Sequence, residues 1–217
     1  MTSSSPSVLS TFLAAAERVE VALCTEAVAR HWEDSSALEG YTVAGLTGHL
    51  ARGVLTVEKY LNAPAADNTK VTDAAGYMVA VLGVHDPVDS DFHRAVRARS
   101  REAASVGPES LARQVGEARQ RLSTRLNEAV MDQRIEVLNG VVVTVEEYLR
   151  TRLVELVVHL DDLAVSVGDK SGPDLPQKAY EEVATVLAQL AVRRHGGLAV
   201  VRGLARRERH PDAIRAL

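Results

Sequence analysis

Four residues in "RTRLVELVVHLDDLA" (151–165) could do chemistry together: Arg152, Glu155, His159 and Asp162 follow one another at spacings of three, four and three. On an α-helix that spacing lines them along one face, so the carboxylate of Glu155 and the imidazole of His159 point the same way. An oxygen and a nitrogen converging in this manner can serve one metal ion, but two ligands do not make a site. A third donor is offered by His49 in "GLTGHLARG", where Gly45 and Gly53 lie four residues to either side and leave the surface around the imidazole bare of side chains. The plainer reading of the same residues is an internal network, Arg152 with Glu155 and His159 with Asp162, with His49 a core histidine beside close-packing glycines.

The element that carries the four polar residues must bury its flanks. Leu149, Leu153, Leu156, Leu160 and Leu163 form a continuous seam, each polar residue of the stripe stands one position before a leucine, and Val154, Val158 and Val165 lie on the other side. A charged stripe between two apolar ones points inward or lines a cavity, where unpaired charges cost several kcal/mol each. Thr144 and Glu147 have capping-box spacing, so this helix starts sharply and runs to Val167, with Gly168 as its stop.

The other elements follow from the same periodicities. A first helix is expected over residues 7–32, ending in the turn-rich "HWEDSSALEGY". A second, capped by Thr42, carries His49 and runs to Leu61 through Leu46, Leu50, Val54 and Val57. Residues 89–128 read as one long third helix interrupted at Gly107-Pro108. In "IEVLNGVVV", Asn139-Gly140 between β-branched runs signals a small hairpin with a two-residue turn, covering one end of the bundle before helix four. After "DKSGPDLPQ" a fifth helix spans 177–194 and a short basic helix follows. The fold class expected is therefore all-α, a four-helix bundle with a small β-hairpin before helix four and additional C-terminal helices, divided as a bundle over 8–168 and an extension over 176–217.

Composition narrows the function classes. The 217 residues are 46% hydrophobic, enough for one sizeable core, and the net charge of −4 offers no footprint for nucleic acid. The one cysteine, Cys24 in "VALCTEA", excludes an internal disulfide framework and reads as a small core residue. No apolar run is long enough for a membrane span and the N-terminus lacks a basic secretion signal, so a cytoplasmic protein without membrane or nucleic-acid partners is expected.

Two segments together resemble a known family. "HWEDSSALEGYTVAGLTGHLARG" is similar to the opening of mycothiol-dependent maleylpyruvate isomerase-like proteins, and "RTRLVELVVHLDDLAVSVG" to their second hallmark, an Arg-x-x-Glu-x-x-x-His-x-x-Asp-Leu helix followed by glycine. The resemblance implies a DinB-like metal-binding four-helix domain over about residues 8–168. It implies a divalent metal, most often zinc, held by His49, Glu155 and His159 with a fourth position open, and mycothiol as the thiol cosubstrate. Arg152 and Asp162 match further positions of the helix motif and are expected to support the ligands or orient substrate. The maleylpyruvate isomerase proper carries a further C-terminal domain, which is expected here to be absent or reduced to two helices.

Three protein ligands and an open position describe a catalytic zinc site, at which a thiol of ordinary pKa about 8.5 becomes a thiolate nucleophile. An isomerase releases that thiol again and an S-transferase leaves it attached to a small electrophilic substrate. Two other readings stand beside these: a hydrolase using water in the open position, and a non-enzymatic helical domain that binds a ligand or partner. His85, Asp86, Asp89, Asp91 and His93, with Arg94, Arg97 and Arg99 beyond them, read as a solvated surface, as do His195 and His210 in the basic tail.

Overall fold

In the computed structural model, residues 6–63, 70–83, 90–205 and 216 are described. Helix α1 (Val8–Leu23) begins at Ser7, whose hydroxyl accepts from the Ser10 N–H, and buries Val8, Phe12, Ala15, Ala16, Val19 and Leu23 along one face. The expected continuous helix over 7–32 is two helices. Thr25 turns its hydroxyl to the Val28 N–H and starts α2 (Glu26–Arg30), so the chain breaks at Cys24. Cys24 is exposed at that junction, not buried in the core.

Thr42 caps α3 (Val43–Leu61) through the Gly45 N–H, where the sequence places a cap. Helix α4 (Ala74–Leu82) is capped by Asp73, and α5 (Asp91–Ala104) is separated from α6 (Pro108–Arg125) by Gly107 at φ 81° with Pro108 in the first turn. That break does more than kink one helix. α6 enters the bundle, whereas α5 lies outside it and packs chiefly against α3. After the short α7 (Glu128–Met131), α8 (Val145–Ser166) carries the polar stripe, and α9 (Gln177–His195) and α10 (Gly197–Ala205) follow.

Four helices make the bundle, each touching two neighbours around a square: α1 with α6 and α8, and α3 with α6 and α8. The leucine seam of α8 is buried as its period requires, with Leu149, Leu153, Leu156, Leu160 and Leu163 all below 5% exposed. Each such side chain contributes about 2 kcal/mol of transfer free energy. Of the flanking valines, Val154 is buried but Val165 is 61% exposed, so one flank opens to solvent at the end of the helix. α9 packs on α8, α4 and α1, and its Ala179, Val183, Val186 and Leu190 belong to the same apolar cluster as the bundle.

The hairpin forms from β2 (Arg134–Glu136) and β3 (Val142–Thr144), antiparallel with Ile135 opposite Val143. Its turn holds three residues, Leu138–Gly140, because Asn139 and Gly140 both take positive φ (61° and 73°) and Val137 pairs with Val141 around them. A third strand absent from the sequence reading, β1 (Val71–Thr72), pairs parallel with β3. Thr144 caps α8 as its spacing demands, but Glu147 does not close the capping box. Its Oε2 accepts instead from the Ala74 N–H at 2.7 Å and ties α8 to the start of α4.

Candidate metal centre between α3 and α8

Helices α3 and α8 run antiparallel, with His49 beside Glu155 and His159, Gly53 against Leu156, and Thr56 beside the Tyr148 hydroxyl. At the His49 level three donors converge. Nε2 of His49 lies 2.8 Å from Oε2 of Glu155, Nε2 of His159 lies 3.5 Å from the same oxygen, and one donor atom from each residue falls within 4.8 Å of the others. Ligand atoms about 3.4 Å apart are what bonds of about 2.0–2.2 Å to a tetrahedral ion require. The imidazoles meet edge to face, with centroids 4.7 Å apart and planes at 78°, so their nitrogens converge on the carboxylate. The three side chains are 16–25% exposed, so solvent reaches the donor atoms from one side.

Each histidine is held from behind. Nδ1 of His159 meets Oδ2 of Asp162 at 2.8 Å, which fixes the ring with Nε2 toward Glu155. Nδ1 of His49 lies 3.4 Å from Oγ of Ser100, a fully buried residue of α5 whose hydroxyl donates to the Val96 carbonyl. The donor set of two imidazoles and one carboxylate, with the far nitrogens already engaged, fits a borderline divalent ion such as zinc.

The electrostatics of the free site follow from burial and contact. Burial opposes a charge on His159, but Asp162 and then Glu155 outweigh it and push its pKa up to about 9. Burial would raise Glu155, yet hydrogen bonds from His159 and His49 hold its carboxyl well below the usual range. Burial pulls His49 down, with Glu155 opposing.

Of the internal network, the His159–Asp162 half is present and the Arg152–Glu155 half is not. Arg152 lays its guanidinium over the Tyr148 ring, 4.8 Å from the centroid, and 6.0 Å from that of Tyr77, while its Nε donates to Thr151 Oγ1 at 3.1 Å. The glycines around His49 do not clear space for a ligand. A Cβ on Gly53 would meet Leu156 Cδ2 at 2.8 Å and one on Gly45 would meet the Tyr41 ring at 3.3 Å, so both serve close packing. The closest approach is at Gly48, where a Cβ would lie 2.0 Å from the Ser100 carbonyl oxygen. That contact presses α5 onto α3 and brings Ser100 to His49.

The loop before α3 borders the site on one side. Trp32 and Asp34 carbonyls accept from the Ala44 and Val43 N–H groups, Ser36 Oγ bonds the Leu38 and Tyr41 carbonyls, and the Ala37 N–H donates to Ser166 Oγ on α8. Tyr41 thereby stands 5.8 Å from the His49 ring, centroid to centroid. Asp91 and Arg94 pair with each other on α5, outside the triad, and His195 ends α9. His85, Asp86, Asp89 and His210 lie outside the described residues. Among the described residues no helix is long and apolar enough to cross a membrane.

Sequence reasoning missed Ser100, Tyr41, Tyr77 and Tyr148. A signal existed for one of them: Val96, Ser100 and Ala104 form the one small, uncharged stripe on an otherwise charged α5.

The family model "Mycothiol maleylpyruvate isomerase N-terminal domain" matches residues 13–164, a span that contains every member of the triad. Among solved structures the chain is similar to the crystal structure of the mycothiol-dependent maleylpyruvate isomerase, with a TM-score of 0.54 at 18% identity over 88% of this chain and 71% of that one. That likeness shows the fold, an all-α, DinB-like bundle, which in this chain carries a small sheet. No curated protein sequence matches the chain.

Proposed function

Because the chain belongs to the mycothiol maleylpyruvate isomerase N-terminal domain family, we propose that it is a metal-dependent enzyme using mycothiol as its thiol, of the isomerase or S-transferase type. The observation that carries this reading is the convergence of His49, Glu155 and His159 on one point with both histidines supported from behind. These three residues would hold the ion, zinc by the chemistry of the donor set, within a bundle over residues 8–168 to which 176–217 are an extension. When bound, the ion supplies Lewis acidity, lowering the pKa of a thiol so that it is a thiolate at neutral pH.

The chain's own residues do the rest. Asp162 accepts the Nδ1 proton of His159 and keeps its other nitrogen aimed into the cleft, and Ser100 does the same for His49. Tyr41 and the loop over residues 32–42 cover one side of the cleft, while the exposed edges of the triad leave an approach for thiol and substrate. Arg152, beside the rings of Tyr148 and Tyr77, orients substrate in this reading. The thiolate sulfur adds to one carbon of a C=C bond conjugated to a carbonyl, forming a C–S bond as the π pair moves to the enolate oxygen. Rotation about the resulting single bond and expulsion of the thiolate as the C=C reforms give an isomerase; protonation of the enolate carbon, or departure of a leaving group from an alkylating substrate, keeps the C–S bond and gives a transferase. A single cysteine outside the site and dependence on a small intracellular thiol fit a cytoplasmic enzyme.

The test is a titration of cobalt-substituted protein with mycothiol. A sulfur-to-metal charge-transfer band and release of a proton near neutral pH are expected, and both are lost in Glu155→Gln, which leaves two strong ligands. An unchanged spectrum, together with ester or amide turnover in the absence of thiol, would replace this reading with metal-dependent hydrolysis.

A further inference from the structure

One turn beyond the triad, three arginines gather around Tyr60 with positive charge that no ion pair among the described residues neutralises. Arg52 follows His49 by three residues on α3, and Arg152 precedes Glu155 by three on α8. Because the helices are antiparallel, both guanidinium-bearing positions are displaced from the triad in the same direction, by about 4.5 Å along the axis. Arg99 reaches the same region from α5, near enough to Arg52 to act on it electrostatically.

Among the described residues, the Arg52 and Arg99 side chains make no hydrogen bond or ion pair, and the one hydrogen bond of the Arg152 side chain goes to a neutral hydroxyl. The acidic groups that act on them, Glu102 on Arg52 and Glu155 on Arg152, do so electrostatically without pairing. Burial and then Arg99 pull the Arg52 pKa down, as expected for a half-buried cation beside another. Between the arginines stand three phenols: Tyr148 and Tyr77, both almost fully buried, and Tyr60, whose ring meets that of Tyr148 at 5.3 Å. Burial pushes Tyr77 up to about 12, so it keeps its proton and can donate.

We propose that Arg52, Arg99 and Arg152 form an oxyanion-binding floor beside the triad, which takes a carboxylate or phosphate group of the electrophile. Partly buried guanidiniums without counterions are costly, and a bound oxyanion returns charge-assisted hydrogen bonds that water supplies less well. The one-turn offset sets a ruler: the anionic group and the carbon attacked by sulfur lie a few bonds apart. The identity of the anion's bearer as the electrophile rests on the function proposed above, but the anion site itself does not.

The experiment is isothermal titration of the full chain with inorganic phosphate and, separately, malonate at low ionic strength, before and after divalent ions are removed by chelation. Binding is expected in both states, weakened about tenfold by Arg52→Gln and by Arg99→Gln, with thermal melting unchanged in those variants. Both substitutions are at partly exposed positions, which avoids dependence on an Arg152 variant that could fail to fold. A preference for phosphate or for malonate identifies the group carried by the substrate. Failure of both anions to bind, or equal affinity in wild type and both variants, overturns the proposal. Anion binding that vanishes on chelation also overturns it, since the anion then sits on the metal, and leaves the metal reading intact.

Discussion

Replacing Asp162 with asparagine should alter metal affinity very differently at two pH values. In the ion-free protein His159 has a pKa of about 9, held up against burial by Asp162 first and Glu155 second. An ion must displace that proton. At pH 7, about two units below, competition lowers the apparent affinity by about a hundredfold, or about 2.7 kcal/mol. For the wild type, log K should therefore climb by about one per pH unit from 7 to 8 and level off above about 9. Asp162→Asn removes the main prop of the raised pKa, so the proton competes less at pH 7. It also loses the carboxylate that orients the ring and raises its basicity, a loss of about tenfold to a hundredfold. At pH 7 the two effects oppose and the net change is small. At pH 9.5 there is no proton to displace, and the full tenfold to hundredfold loss appears. Competition against a fluorescent zinc chelator at the two pH values measures both. Equal losses at pH 7 and 9.5 would refute the assignment of Asp162 as the group that charges and aims His159. The same shift sets the stability of the ion-free fold: the contribution of His159 is fully present below about pH 6.5 and is lost as pH rises through about 9.

Elemental analysis should find about one divalent ion per chain in wild type and little in His49→Ala; equal content in the two would dissolve the site. Ser100→Ala should weaken metal binding by about tenfold and leave His49 free to exchange between tautomers in nitrogen NMR spectra, whereas unchanged affinity and tautomer would make Ser100 a packing residue only. Gly48→Ala forces a Cβ against the Ser100 carbonyl and should cost about 1–3 kcal/mol, lowering the melting temperature on the order of 5 °C; an unchanged melting temperature would show that α5 yields freely. Arg152→Lys keeps the charge but loses the planar contact with Tyr148, so activity should fall while the metal content holds. Full activity in that variant would remove Arg152 from the cleft's working surface.

What the sequence disclosed was whatever repeats along a single helix. The leucine seam of α8, the Thr42 and Thr144 caps and the Gly107-Pro108 break are local signals, and each appears where its pattern places it. The spacing of Glu155 and His159 is legible for the same reason, and His49 stands out by its flanking glycines and then by the family resemblance. What stayed hidden depends on contacts across the chain. Ser100 lies in "RARSREAA", which looks like a solvated surface until Gly48 draws α5 onto α3. Glu147 has the right spacing for a capping box, but the Ala74 N–H, far away in sequence, claims it. Two-residue β1 is too short to show any period. Cys24 reads as buried because the helical pattern around it continues, whereas α1 ends at Leu23 and Thr25 caps a new helix just beyond. The glycines flanking His49 suggested an empty space that neighbouring side chains in fact fill.

The position of α5 outside the square of four helices separates two properties that are usually entangled. It buries only Ser100 and Ala104 fully and leans chiefly on α3, whereas the cooperative apolar interior belongs to other helices. Its amides should exchange with deuterium well before those of α3 and α8, through openings that leave the interior intact. The wall of the cleft is thus thermodynamically cheap to alter. Substitutions along α5 can retune what the cleft admits with little penalty to folding, so selectivity can drift over evolutionary time while the architecture stays fixed.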